Sequence, residues 1–119
     1  MRQVNAMMST RMVGDKAGII DIHGDVTAVA ENMLMDAYTQ ATAAGARVII
    51  LNFGDMEYMN SSGIGLLVTL LIRINRQDQR LLTYGLSEHY RHIFELTRLD
   101  EAIGIYTTEA EALAAARAA

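Results

Sequence analysis

The stretch Arg47-Val48-Ile49-Ile50-Leu51-Asn52-Phe53 limits the possible folds of this chain more than any other. Its apolar and β-branched residues run without the alternation of a half-buried strand, which is the signature of a strand buried on both faces. Apolar patterning on either side of it supplies further elements. Met8 to Val13 reads as a first strand, and Gly18-Ile19-Ile20-Asp21-Ile22-His23 as a second, closed by Gly24. Asp15-Lys16, between Gly14 and Gly18, reads as the hairpin turn joining them. From Val26 the period lengthens. Val26, Ala30, Met33, Ala37, Ala41 and Ala44 recur every three or four residues, as one helical face requires, and Gly45 suits the left-handed stop.

After the central strand, Gly54 to Asn60 is expected to be a loop. The helix that follows shows Leu67, Leu70, Leu71 and Ile74 as one apolar stripe. Leu81 to Tyr84 is a short strand ended by Gly85. Ser87 can cap a helix bearing Tyr90, Ile93, Phe94 and Thr97 on one side. Ile103 to Tyr106 forms a last strand. Thr108 and Glu111 have the spacing of a capping box and open an alanine-rich helix over about residues 108–117. The order β-β-α-β-α-β-α-β-α over residues 1–119 defines one α/β domain built on a central sheet. A chain of 119 residues leaves little room for another domain.

Composition narrows the function. With 14 acidic against 10 basic residues, the net charge of −4 argues against a generic nucleic-acid binder. Arg73, Arg76 and Arg80 do cluster, but near a predicted helix end, where cations offset the helix dipole. The sequence has no cysteine, so disulfides and thiolate metal sites are excluded and a cytoplasmic setting fits. The N-terminal residues lack the apolar core of a signal peptide. The longest apolar run, Gly63 to Ile72, falls short of the about 20 residues that span a bilayer. A soluble protein without direct membrane insertion is expected.

The segment Asn60-Ser61-Ser62-Gly63-Ile64-Gly65 carries the most functional information. It opens an apolar helix, where backbone N–H groups lack internal partners and carry partial positive charge. Two readings follow. In one, Ser61 and Ser62 are capping hydroxyls and the glycines serve helix–sheet packing. In the other, the donors of this turn receive a phosphoryl group on Ser61, with Ser62 as second candidate. Gly63 and Gly65 would then clear the way for another protein's active site.

The ordered set Ile22-His23-Gly24-Asp25, Val48 to Phe53, Tyr58-Met59-Asn60-Ser61-Ser62-Gly63-Ile64-Gly65, Phe94-Glu95-Leu96-Thr97-Arg98-Leu99 and Ile105-Tyr106 resembles the STAS family. The likeness runs from about Gly18 to Leu113. It implies a single STAS-like domain, with a central mixed sheet of four or five strands and about four helices packed mainly on one face. In the family's anti-sigma factor antagonists, the second position of an Asp-Ser-Ser-Gly-like turn is the phosphorylated serine, which is Ser61 here. The resemblance implies a binding switch rather than an enzyme. The unphosphorylated protein binds an anti-sigma factor that is also a serine kinase, phosphorylation releases it, and a PP2C-type phosphatase resets it. The partner-binding residues so implied are Asp25, Thr27, Tyr58, Met59, Asn60, Ser61 and Ser62. No cofactor or metal is implied. An alternative within the family is a constitutive, non-phosphorylated subunit or scaffold of a transport or stress-signalling complex. Three positions depart from the family pattern: Asn60 and Asn52 stand where aspartate is usual, and Thr27 where a second acidic residue is usual. Asparagine keeps hydrogen-bonding ability and removes charge. Because ATP, metal and base belong to the kinase, Asn60 is compatible with phosphorylation of Ser61.

Other constellations are weak. Glu88, His92 and Glu95 share a helix face but have no ligand from a second element, so a solvated face is expected. No Gly-x-Ser-x-Gly elbow or Walker lysine motif supports hydrolysis. Met33 is expected in the core, while Met56 and Met59 beside Tyr58 suit either a contact surface or a place under the loop.

Overall fold

A computed structural model describes residues 6–118. Its strands are β1 (Ala6–Val13), β2 (Ala17–Val26), β3 (Val48–Met59), β4 (Arg80–Tyr84) and β5 (Gly104–Tyr106). The helices are α1 (Glu31–Ala43), α2 (Ser61–Arg76), α3 (Glu88–Leu96) and α4 (Glu109–Arg117), with short 3-10 turns at Ala28–Ala30 and Leu99–Glu101. The strands lie in the order β1-β2-β3-β4-β5; β1 and β2 form an antiparallel hairpin and every other pair is parallel. The expected mixed sheet and element order are both present.

Each face of the sheet has its own core. On one, Ile20, Ile22, Ile49, Leu51, Phe53 and Leu81 meet Leu34 and Tyr38 of α1, Leu67, Leu70 and Ile74 of α2, and Phe94 of α3. On the other, Ile19, Val48, Ile50 and Leu82 meet Ala112 and Leu113 of α4. Three helices therefore share one face and one covers the other. Val48 to Leu51, alternating between these two cores, are all buried, which is why that stretch is continuously apolar.

Local signals act where expected. Gly45 follows α1 at φ +99°, Ser87 Oγ accepts from Tyr90 N, and Thr108 with Glu111 forms a complete capping box. Arg73 and Arg76 lie in the last turn of α2. Arg80 instead opens β4, and its guanidinium donates to the Ala115 and Ala118 carbonyls at 3.2 and 3.3 Å, capping the open end of α4.

Two expectations are corrected. Gly54 to Met59 is not a loop: β3 continues through it, with Asp25 opposite Tyr58 and Val26 opposite Met59. Two register shifts, between Asp21 and His23 and between Gly24 and Asp25, break the regular alternation and hide the strand. Correspondingly, Val26 ends β2 rather than starting a helix. The helical face begins later: Ala30, Ala37 and Ala41 are buried as expected, joined by Leu34 and Tyr38, whereas Met33 is half-buried at the core's edge and Ala44 is exposed.

Candidate functional site

The end of β2, the extended end of β3 and the first turn of α2 converge at one corner of the sheet. Asn60, in extended backbone, is the N-cap of α2, and its side-chain oxygen accepts from the Gly63 N–H at 2.9 Å. This settles the capping role. It belongs to Asn60, and neither Ser61 nor Ser62 performs it. Both serines are exposed as the first two helical residues, and neither hydroxyl has a hydrogen-bond partner among the described residues. Their own N–H groups belong to the set that a helix start leaves without internal acceptors. Asparagine caps a helix as well as aspartate does, so the departure at this position leaves the turn's shape intact.

The two glycines separate. A Cβ on Gly63 would overlap the Val26 carbonyl oxygen and lie 2.7 Å from Met59 Cγ. Gly63 therefore serves close packing. A Cβ on Gly65 would meet nothing within 4 Å, and the residue is exposed. Ile64 is half-buried against the core, and its N–H makes the first backbone bond of the helix, to the Asn60 carbonyl at 3.1 Å.

Beneath the turn, the Asn60 N–H reaches the Val26 carbonyl at 3.4 Å, and the Met59 N–H donates to the Tyr90 hydroxyl of α3 at 2.9 Å. Met59 is 5% exposed and Asp25 6%. These two members of the expected contact set are buried and support the corner from inside. Tyr58 is 37% exposed, Thr27 is half-buried, and Asn60, Ser61 and Ser62 complete the outward surface. Met56 is half-buried against the core. Close by on the two strand ends, His23 Nδ1 lies 3.5 Å from Asp55 Oδ2, with both side chains exposed.

A polar network on the α4 side anchors the strands that reach this corner. Arg11 Nε donates to Asp21 Oδ2 at 2.8 Å, and the same guanidinium binds the Glu109 carboxylate. The Tyr84 hydroxyl donates to Glu109 at 2.8 Å, and Asn52 Nδ2 to Asp21 Oδ1 at 2.7 Å. Asn52 Oδ1 then accepts from the Gly54 N–H at 2.9 Å, just where β3 leaves its regular ladder. An aspartate at position 52 could not donate to Asp21, which accounts for asparagine there. The Arg11 bonds hold the Asp21 and Glu109 carboxyls below their ordinary ranges. Burial, followed by the bond to Glu109, pushes the Tyr84 phenol up to about 12. Sequence inspection did not find this network, because its members lie up to 98 positions apart and no local pattern joins them.

Glu88, His92 and Glu95 do share an exposed face of α3, with His92 Nδ1 3.8 Å from Glu95 Oε2. Among the described residues no group of three or more histidine, aspartate or glutamate side chains is placed to hold a metal ion, and no helix is long and apolar enough to cross a membrane.

A sheet of this order, three helices on one face and one on the other, with a serine pair opening α2, defines a small α/β domain that presents a helix start at its surface. The STAS domain family model matches residues 10–112, and the chain belongs to that family. The chain is 29% identical over 91 residues to the anti-sigma-B factor antagonist of Staphylococcus aureus (strain NCTC 8325 / PS 47), covering 76% of this chain and 84% of that one. Its fold is similar to an anti-sigma factor antagonist from Mycobacterium paratuberculosis, with TM-score 0.82 and 18% identity over 96% of each chain. It is also similar to the phosphorylated form of the Bacillus cell fate determinant SpoIIAA, with TM-score 0.72 and 23% identity over 93% of this chain and all of that one.

Proposed function

We propose that this chain is a protein-binding regulator, an anti-sigma factor antagonist whose affinity for its partner is switched by phosphorylation of Ser61. The observation that carries this reading is the exposed Ser61 hydroxyl at the first position of α2, left free because Asn60 supplies the cap. The staphylococcal relative bears the name of an antagonist, and a SpoIIAA structure of this fold is of a phosphorylated form, which supports the reading. In it the unphosphorylated chain binds an anti-sigma factor with serine-kinase activity, and a PP2C-type phosphatase returns the modified chain to its binding form in the cytoplasm. The contact surface comprises Thr27, Tyr58, Asn60, Ser61, Ser62 and Gly65. A phosphoryl group adds about −1.5 to −2 charges at the middle of it. The unpartnered N–H groups of the first turn stabilise that charge within the chain, while the partner loses a neutral contact and meets a dianion. The chain needs no catalytic residue of its own for this, since its part is to present a hydroxyl and a surface.

The test combines a pull-down from the native cell, with mass spectrometry of Ser61, and a titration against the partner recovered. Ser61→Ala is expected to bind like the wild type, and Ser61→Glu at least tenfold more weakly, about 1.4 kcal/mol. Glutamate in the first turn of a helix suits the dipole, so the weak binder remains folded. Equal affinities for wild type and Ser61→Glu would overturn the switch. They would favour a constitutive STAS subunit of a larger complex.

A further inference from the structure

β3 outruns its neighbour. Its ladder with β4 ends at Asn52 opposite Tyr84, yet β3 continues to Met59, paired from there only with β2. Among the described residues no strand pairs with the other side of this extension, which leads directly into the switch turn. At its last residue the missing partner is replaced by a side chain: the Tyr90 hydroxyl, which accepts from the Met59 N–H at 2.9 Å. Met59 also carries Gly63, since the space that a Gly63 side chain would take is filled by the Val26 carbonyl and Met59 Cγ. One residue thus touches the floor of α2's first turn with its side chain and α3 with its backbone.

Tyr90 is itself well anchored. Its N–H is capped by Ser87 Oγ, its ring meets His89 edge-on at 4.9 Å, and one turn later Phe94 packs edge-on against Phe53 of β3 at 6.4 Å. The hydroxyl is therefore offered from α3 to the last residue of β3.

We propose that Tyr90 is the positioning residue of the switch: its hydroxyl fixes the level of Met59, and with it the presentation of Asn60, Ser61 and Ser62 at the start of α2. This rests on Ser61 as the switch for its consequence, but the positioning itself holds whether or not Ser61 is modified. Removing the hydroxyl leaves a half-buried N–H without an acceptor, so the strand end opens locally while both cores stay closed.

Amide hydrogen exchange on the whole chain, followed by NMR, separates the two matters because it needs no partner and no phosphorylation. In the wild type the Met59 amide is expected to be protected. In Tyr90→Phe, exchange at Met59 and Asn60 is expected to rise at least tenfold, with Ile49, Ile50 and Leu51 within twofold of wild type. His89→Ala, which removes the ring contact and keeps the hydroxyl, should leave Met59 protected. A Met59 amide exchanging at the unprotected rate in the wild type would overturn the proposal without any variant. So would an unchanged Met59 in Tyr90→Phe, or a uniform rise across the chain.

Discussion

Gly63 and Gly65 are two residues apart in α2, and only Gly63 continues the apolar stripe of Leu67, Leu70 and Ile74. Gly63 faces inward, where a methyl group would strike the Val26 carbonyl, and backbone cannot step aside as a flexible side chain can. Gly65 faces solvent with open space around it. Gly63→Ala is expected to cost roughly 1–3 kcal/mol by overpacking. Gly65→Ala should leave stability unchanged or raise it by about 0.5–1 kcal/mol, since alanine loses less backbone freedom in a helix than glycine. Urea denaturation of the two variants measures the contrast directly, and equal destabilisation would contradict the assigned packing. Gly65 also lies one turn beyond Ser61 on the exposed side of α2, so the same Gly65→Ala protein should bind its partner less tightly despite being no less stable. Asn60 belongs at this scale as well. As a residue type it suited a turn, but only the 2.9 Å bond to the Gly63 N–H shows that it relieves both serines of capping.

At the scale of elements, the strands and helices with a strict apolar period were readable: the run Val48 to Leu51, the α2 stripe of Leu67, Leu70 and Ile74, and the capped starts of α3 and α4. The extension of β3 was not. Gly54-Asp55-Met56-Glu57-Tyr58-Met59 is polar and bulged, and it is a strand only because β2 pairs with it. Met56 and Met59 both reach the core, three positions apart, a spacing that a regular strand would forbid. Pairing decided the structure there, and pairing is long-range information. Asn52 guards the entrance to this extension, with one end of its amide on Asp21 and the other on the Gly54 N–H. Asn52→Asp would place a second carboxylate against Asp21 and remove the donor. At pH 7 a loss of about 1–3 kcal/mol is expected. It should shrink as the pH is lowered toward 4, when one of the paired carboxyls takes a proton and again donates. A variant as stable as wild type at pH 7 would show that the amide bond to Asp21 contributes nothing.

Over the whole molecule the two faces of the sheet are held differently. Large side chains from three helices seal one face, whereas the other is closed by an alanine-rich helix that buries little beyond Ala112 and Leu113. Polar anchors make up part of that difference. Arg11 from β1 and Tyr84 from β4 grip Glu109 in the first turn of α4, and Arg80 takes carbonyls at its end. The pH dependence of stability follows from this arrangement. The ordinary values of Asp21 and Glu109 are 3.8 and 4.5, and Arg11 lowers both in the folded chain. Their stabilisation is thus complete above those values and is lost as the pH falls through the lowered ones, when the folded protein must take up protons that the unfolded chain already holds. At the other extreme, the phenol of Tyr84 ionises near 10 in the unfolded chain and near 12 in the folded one, so stability declines as the pH rises through that interval. Glu109→Gln removes one carboxylate from the network. Because the pair is substantially exposed, the loss at pH 7 is expected to be only about 0.2–1 kcal/mol. The informative quantity is how that loss varies. Thermal melts of both proteins should differ by a constant amount between about pH 6 and 9 and converge as the pH falls below 4, where the wild-type carboxylate is itself neutralised. A gap that persists undiminished to the lowest pH would mean that the charge of Glu109 is not what the substitution removes.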